Sequence, residues 1–254
     1  MKMVIHKIVS LLLKRMSCLS RIKWVIRLIN LFTFGTAPKE SLQFLLELDN
    51  RLYALEGSAA VVYGNGLHTK HKHSNYHQFF IHNVNPGERV LDIGCGNGFL
   101  SYDIVTHVSN VTITGIDLNE KNIAHAQKQY YHPRLTFIHG DAQKDLPHET
   151  FDVVTLSNVL EHIDDRVHFL KKIEHCLKPK RILIRVPCFE RDWRVPLKKE
   201  IGVDYRLDQT HCIEYTKGAY VEEMKEAALT VVYCECCWGE LWSVVKPNEE
   251  AKQE

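Results

Sequence analysis

From residue 88 onward the spacing of apolar positions switches repeatedly between two periods. Short runs rich in Val, Ile and Leu, bounded by turn residues, alternate with stretches whose apolar residues recur at helical spacing. Residues 89–93 (RVLDI), 111–116, 135–139, 151–156 and 181–186 read as strands buried on both faces. Residues 120–130, 166–177 and 216–228 read as helices, with Thr216 as an N-cap and Pro179 just past the end of the second. Residues 230–236 and 241–245 form two more strands around Trp238-Gly239, a hairpin turn. This alternation predicts an α/β protein with a mostly parallel sheet and helices on both faces. A finish in a hairpin is unlike a dehydrogenase, which would continue with parallel crossovers.

Upstream the pattern is helical. Residues 40–55 read as an amphipathic helix ended by Gly57. In residues 1–35, Ile5, Ile8, Leu12, Met16 and Leu19 share one face, and Lys7, Lys14, Ser17 and Arg21 another. Lys14 and Arg15 interrupt any signal-peptide core, and no run of 18 uncharged apolar residues offers a spanning helix. A basic amphipathic segment on an anionic membrane surface, a lid of packed helices and a mitochondrial presequence all remain open. The organisation read from this is a basic extension over 1–38, a helical lid or cap over 39–85 and a main domain over 86–247. Within that domain, 188–215 is a polar and aromatic insertion, and 248–254 is a tail.

Composition narrows this only a little. A net charge of +1 gives no global case for nucleic acid, although residues 1–38 contain Lys and Arg but no acid. The eight cysteines follow no secreted framework, so reduced thiols in the cytoplasm are expected. Cys234, Cys236 and Cys237 lack partners at metal-binding spacing. The stretch 64–82 holds His68, His71, His73, His77 and His82 with Lys70 and Lys72. It reads as a solvated loop or a cationic lid before it reads as a metal site.

The chemistry gathers behind the first strand, in VLDIGCGNG. Gly94, Gly96 and Gly98 follow Asp92 at alternate positions, turning a strand into a helix whose bare N–H groups could meet a ligand. The spacing differs from the G-x-G-x-x-G of dinucleotide sites. An acid two residues before the first glycine would repel a pyrophosphate, so a ligand with a cationic centre is expected. On this motif the chain resembles the class I S-adenosylmethionine-dependent methyltransferases, over roughly residues 86–246. That resemblance implies a seven-stranded, mostly parallel sheet with an antiparallel last strand, S-adenosylmethionine as cofactor and in-line methyl transfer.

It also implies roles for residues at the strand ends. Asp117, with Leu118 beside it, would take the ribose hydroxyls. Asp141 and Ala142, in a Gly-Asp-Ala turn, would meet adenine. Asp92 would orient the methionine end of the cofactor, largely through the loop or a bridging water. Gly94, Cys95, Gly96 and Gly98 would also bind the cofactor, and Ser157 and Asn158 would lie next to the sulfonium. A hydroxyl acceptor would need a base, for which His211 in the insertion and His162 in NVLEHI compete. Relatives in ubiquinone biosynthesis and small-RNA methylation hold a metal through Glu-x-x-Glu-His; Asn158 stands at the first acidic position here, so no metal is assigned. The resulting expectation is O-methylation of a small-molecule, glycan or lipid-linked acceptor, with no nucleic acid favoured. The alternatives are protein or RNA methylation, or cofactor binding without catalysis.

Overall fold

The computed structural model describes residues 16–248. The predicted N-terminal face at Ile5, Ile8 and Leu12, and most of the C-terminal tail, lie outside them. The chain divides into two units, one of residues 1–58 with 198–204, the other of residues 59–197 with 205–254.

In the first unit, α1 (Cys18–Thr33) is capped by the Ser17 side chain, which accepts from the Ser20 N–H. The next helix, α2 (Pro38–Tyr63), runs straight through Gly57. The expected stop there fails because one glycine inside a helix costs only about 1 kcal/mol, too little to end a run of good helix formers. Lys198 Nζ reaches Asp49 Oδ2 at 2.8 Å and Asn50 Oδ1 at 2.7 Å, and Gln43 donates to the Ile201 carbonyl.

The second unit is built on a seven-stranded sheet ordered β3-β2-β1-β4-β5-β7-β6. Its strands are β1 (Arg89–Ile93), β2 (Thr112–Asp117), β3 (Leu135–His139), β4 (Val153–Ser157), β5 (Arg181–Pro187), β6 (Leu229–Cys237) and β7 (Glu240–Pro247). The first five pair in parallel, while β7 lies antiparallel between β5 and β6. Trp238 and Gly239, at φ +55° and +78°, turn β6 into β7, as the hairpin reading requires. The expected class is thereby shown.

Helices α3 (Lys70–Ser74), α4 (His77–His82), α5 (Phe99–His107), α6 (Glu120–Gln129), α7 (Arg166–Leu177), α8 (Arg194–Ile201) and α9 (Lys217–Glu226) complete the described elements. Alternate strand residues feed two cores. Leu91, Val154, Leu156, Ile182 and Ile184 pack with Leu170, Ile173 and Met224 on one face. Val90, Val153 and Leu183 pack with Phe80 and Ile104 on the other. That second face carries three polar residues near the strand ends, Asp92, Thr155 and Arg185, all buried. Buried polar groups need partners: Asp92 accepts from Thr155, and Arg185 bonds Asn158 and pairs with Glu240, while its Nη1 is left without a partner among the described residues.

Candidate active site

The carboxyl ends of β1, β2, β3 and β4 frame an open cavity of about 870 Å³. Ligands of open parallel sheets bind at this edge, where the strand order switches direction. Gly94, Asp117, Leu118, Asp141, Ala142, Asn158 and His162 line it, along with Ile116, Val159, Ile163 and Phe169. The other predicted residues do not line it: Asp92, Cys95, Gly96, Gly98, Ser157 and His211 sit behind or beside the wall.

Asp117 is well placed. Its Oδ2 accepts from the Gly96 N–H at 2.8 Å, and its Oδ1 accepts from the Asn119 N–H at 2.8 Å. The helix cap that could have claimed it belongs to Asn119, whose side chain accepts from the Lys121 and Asn122 N–H groups. Asn122 Nδ2 also donates to Oδ1, at 3.3 Å. Of the about four acceptor sites of an ionised carboxylate, Asp117 spends three on locking the glycine loop and the turn after β2, and keeps about one for a ligand hydroxyl. Asp141 accepts from the Gln143 N–H and pairs with Lys144 at 3.1 Å, and that hydrogen bond to Lys144 holds its carboxyl below the usual carboxylate range. The neighbouring Ala142, which lines the cavity, donates its N–H to no described residue.

Two readings of the glycine motif are corrected. The Asp92 carboxylate is turned away from the cavity into the second core, where Ser101 Oγ donates to Oδ2 at 2.5 Å and Thr155 Oγ1 to Oδ1 at 2.6 Å. Complete burial outweighs these two bonds and pushes its pKa up to about 6. So enclosed, this carboxylate is in no position to repel a pyrophosphate. Nor does Gly98 make room for a ligand. A Cβ there would come within 2.5 Å of the Phe137 ring and 2.9 Å of Ala126, so this glycine lets α5 and α6 close on β3. Cys95 belongs to the same small cluster, with Ile123.

On the other side of the cavity the insertion meets the turn after β4. The Cys212 N–H donates to the Glu161 carbonyl at 2.7 Å, tying two segments 51 residues apart. His211 and His162 are thereby stacked edge to face, ring centroids 4.7 Å apart. His162 Nδ1 is engaged by the Thr210 hydroxyl at 2.9 Å. His211 Nδ1 lies 3.3 Å from Glu214 Oε1. Glu214 is buried and fixed in turn by Arg191 and by the Leu207 N–H. With Nδ1–H donated to Glu214, His211 presents Nε2 as an acceptor. The sequence reading singled out His211 but missed Glu214; the spacing His-x-x-Glu in HCIE was the available signal.

Asn158, at φ +56°, bridges two buried charges. Its carbonyl accepts from Arg185 and its amide donates to Glu161 Oε1 at 2.9 Å, so it is committed to the protein rather than to a sulfonium. Glu161 Oε2 is buried without a partner, and burial pushes this acid up to about 7. Glu161, His162 and His211 each offer a ligand atom, all within 4.8 Å of one another. The motif discounted from Asn158 keeps Glu161 and His162, and His211 joins them as a third candidate donor.

A family model described as a methyltransferase domain matches residues 84–244. The chain belongs to that methyltransferase family. Its methyl donor is S-adenosylmethionine, and the cavity, with Asp117 and Asp141 at the ends of adjacent strands, fits that ligand. Over 101 residues the methyltransferase is 36% identical to 27-O-demethylrifamycin SV methyltransferase of Amycolatopsis mediterranei, covering 38% of this chain and 37% of that protein. Over 125 residues it is 33% identical to a ubiquinone biosynthesis O-methyltransferase of Bradyrhizobium diazoefficiens, covering 48% and 47%. It thus spans less than half the length of either. The magnesium protoporphyrin IX methyltransferase of Synechocystis, solved with bound SAH, superimposes with a TM-score of 0.54 over 69% of this chain and 83% of its own. At 16% identity that likeness concerns the fold alone.

Proposed function

We propose that this methyltransferase transfers a methyl group from S-adenosylmethionine to a hydroxyl oxygen of a small-molecule acceptor, with His211 as the base. The observation that carries the reading is the His211–Glu214 pair beside the cavity wall. Asp117 would hold the ribose, and Asp141 with the Ala142 N–H the adenine; the cofactor supplies a methyl group activated by its sulfonium. His211 Nε2 would take the hydroxyl proton as the oxygen–methyl bond forms and the sulfur–methyl bond breaks, the sulfur leaving as a neutral thioether, and Glu214 would face the resulting imidazolium charge. The other favourable factors are alignment and water exclusion, which the wall of Val159, Ile163 and Phe169 supports.

The printed names of the two relatives, both O-methyltransferases of small molecules, agree with this acceptor class. A glycan or lipid-linked acceptor is the finer reading, supported by the basic, acid-free N-terminal stretch. The eight free cysteines suit a reducing cytoplasm. Incubation with labelled cofactor and fractionated cell extract tests the proposal. Label entering small molecules or lipid supports it, label entering protein or RNA redirects it, and no label at all favours a binder without catalysis.

A second reading rests on the orphaned Glu161 Oε2. Glu161, His162 and His211 would then hold a divalent cation, whose charge would supply Lewis-acid assistance to the acceptor oxygen. Turnover abolished by a chelator and restored by one metal would favour it. Turnover indifferent to chelation leaves His211 as the base.

A further inference from the structure

We infer that α1 is a lipid-docking helix, lying along an anionic membrane surface with its apolar side in the headgroup–acyl boundary. Among the described residues none of its side chains is buried, although most of them are apolar. Leu19 is 71% exposed, Leu31 72% and Phe32 67%, with Trp24 and Leu28 more than half exposed. At 100° per residue, Ser20, Lys23, Arg27 and Asn30 fall on one narrow sector. Apolar side chains take roughly two thirds of the circumference, with only Arg21 and Thr33 among them. A patch of this size on a soluble protein marks an interaction surface.

Charge selects the occupant. Residues 1–38 hold seven Lys and Arg residues and no acid. The next helix also exposes Leu45, Leu52 and Tyr53, but it carries Glu40, Glu47, Asp49 and Glu56 and so lacks a single sign. A second copy would present a like-charged stripe to the first. The lipid boundary instead offers hydrocarbon and negative charge together, with Lys23 and Arg27 able to reach back to the phosphates. Length fixes the orientation. Sixteen residues extend about 24 Å, short of the roughly 30 Å of hydrocarbon in a bilayer. No helix of the described residues is long and apolar enough to cross a membrane.

The test measures binding and needs no turnover. The full chain is sedimented with vesicles of phosphatidylglycerol and phosphatidylcholine, and with phosphatidylcholine alone. Binding to the anionic vesicles, weakened by salt, is expected. The double substitution Lys23→Glu and Arg27→Glu should lower partitioning at least tenfold, at about fivefold per cation removed. Leu28→Glu with Leu31→Glu should lower it as far. Calorimetry with S-adenosylmethionine on each variant reports separately on the folded methyltransferase, so a failure of that reading is distinguishable. The inference is overturned if the chain stays in the supernatant, or if both variants sediment like the wild type. It is equally overturned if the chain self-associates through this face and Leu28→Glu with Leu31→Glu merely dissociates the copies.

Discussion

Glu214 Oε1 stands 3.3 Å from His211 Nδ1, and the chain supplies both from one turn of its insertion. The carboxylate fixes which ring nitrogen carries the proton, so removing its charge should impair catalysis without touching the cofactor. Glu214→Gln should lower kcat by about 10²-fold and His211→Ala by about 10²- to 10⁴-fold. Cofactor affinity, read by calorimetry, should stay within about twofold in both. If His211→Ala turns over at the wild-type rate, His211 is not the base.

Asp117 holds the glycine loop through Gly96 and faces the cavity with the rest of its acceptor capacity. Asp117→Ala should weaken S-adenosylmethionine binding tenfold or more, about 1.4 kcal/mol or above. Unchanged affinity by calorimetry would remove the ribose assignment.

Two glycines of one motif should respond differently to the same methyl group. At Gly96 an added Cβ meets nothing within 4 Å, so Gly96→Ala bears only the cost of a left-handed backbone, about 1–2 kcal/mol. At Gly98 it also drives into Phe137 and Ala126, adding about 1–3 kcal/mol of overpacking. Urea unfolding should therefore rank Gly98→Ala clearly below Gly96→Ala. Equal losses would mean that α5 and α6 can part from β3 without cost.

Asp92 gives the fold a pH dependence of unusual sign for a carboxylate. Its folded-state pKa is raised, from 3.8 to about 6, so the folded chain binds the proton more tightly than the unfolded chain. The stabilisation is fully present below about pH 4 and is lost as pH rises through about 6, on the order of 3 kcal/mol in all. Asp92→Asn, which stays neutral, should remove this slope. Unfolding midpoints across that window would show the variant gaining on the wild type as pH rises; a constant difference would mean Asp92 titrates normally.

The sequence disclosed the sheet because each strand carries its own apolar run, and the caps at Asn119 and Thr216 because capping is local. It disclosed Asp117 and Asp141 because they stand at strand ends. The repulsion of a pyrophosphate read into Asp92 fails although the pattern held the answer: Asp92 shares with Val90 the strand face packed against α5 and is buried there. Glu214 could have been read from the His-x-x-Glu spacing, whereas the pairing of His162 with His211 depends on a contact between residues 161 and 212, which no local period encodes.

That contact runs from a peptide hydrogen to a peptide oxygen, and neither end consults a side chain. Any residue at position 212 with a peptide N–H keeps that bond available, although the Cys212 thiol also donates to Asp164 Oδ1 at 3.0 Å. Proline, with no hydrogen to give, is the one replacement that would let the strap go.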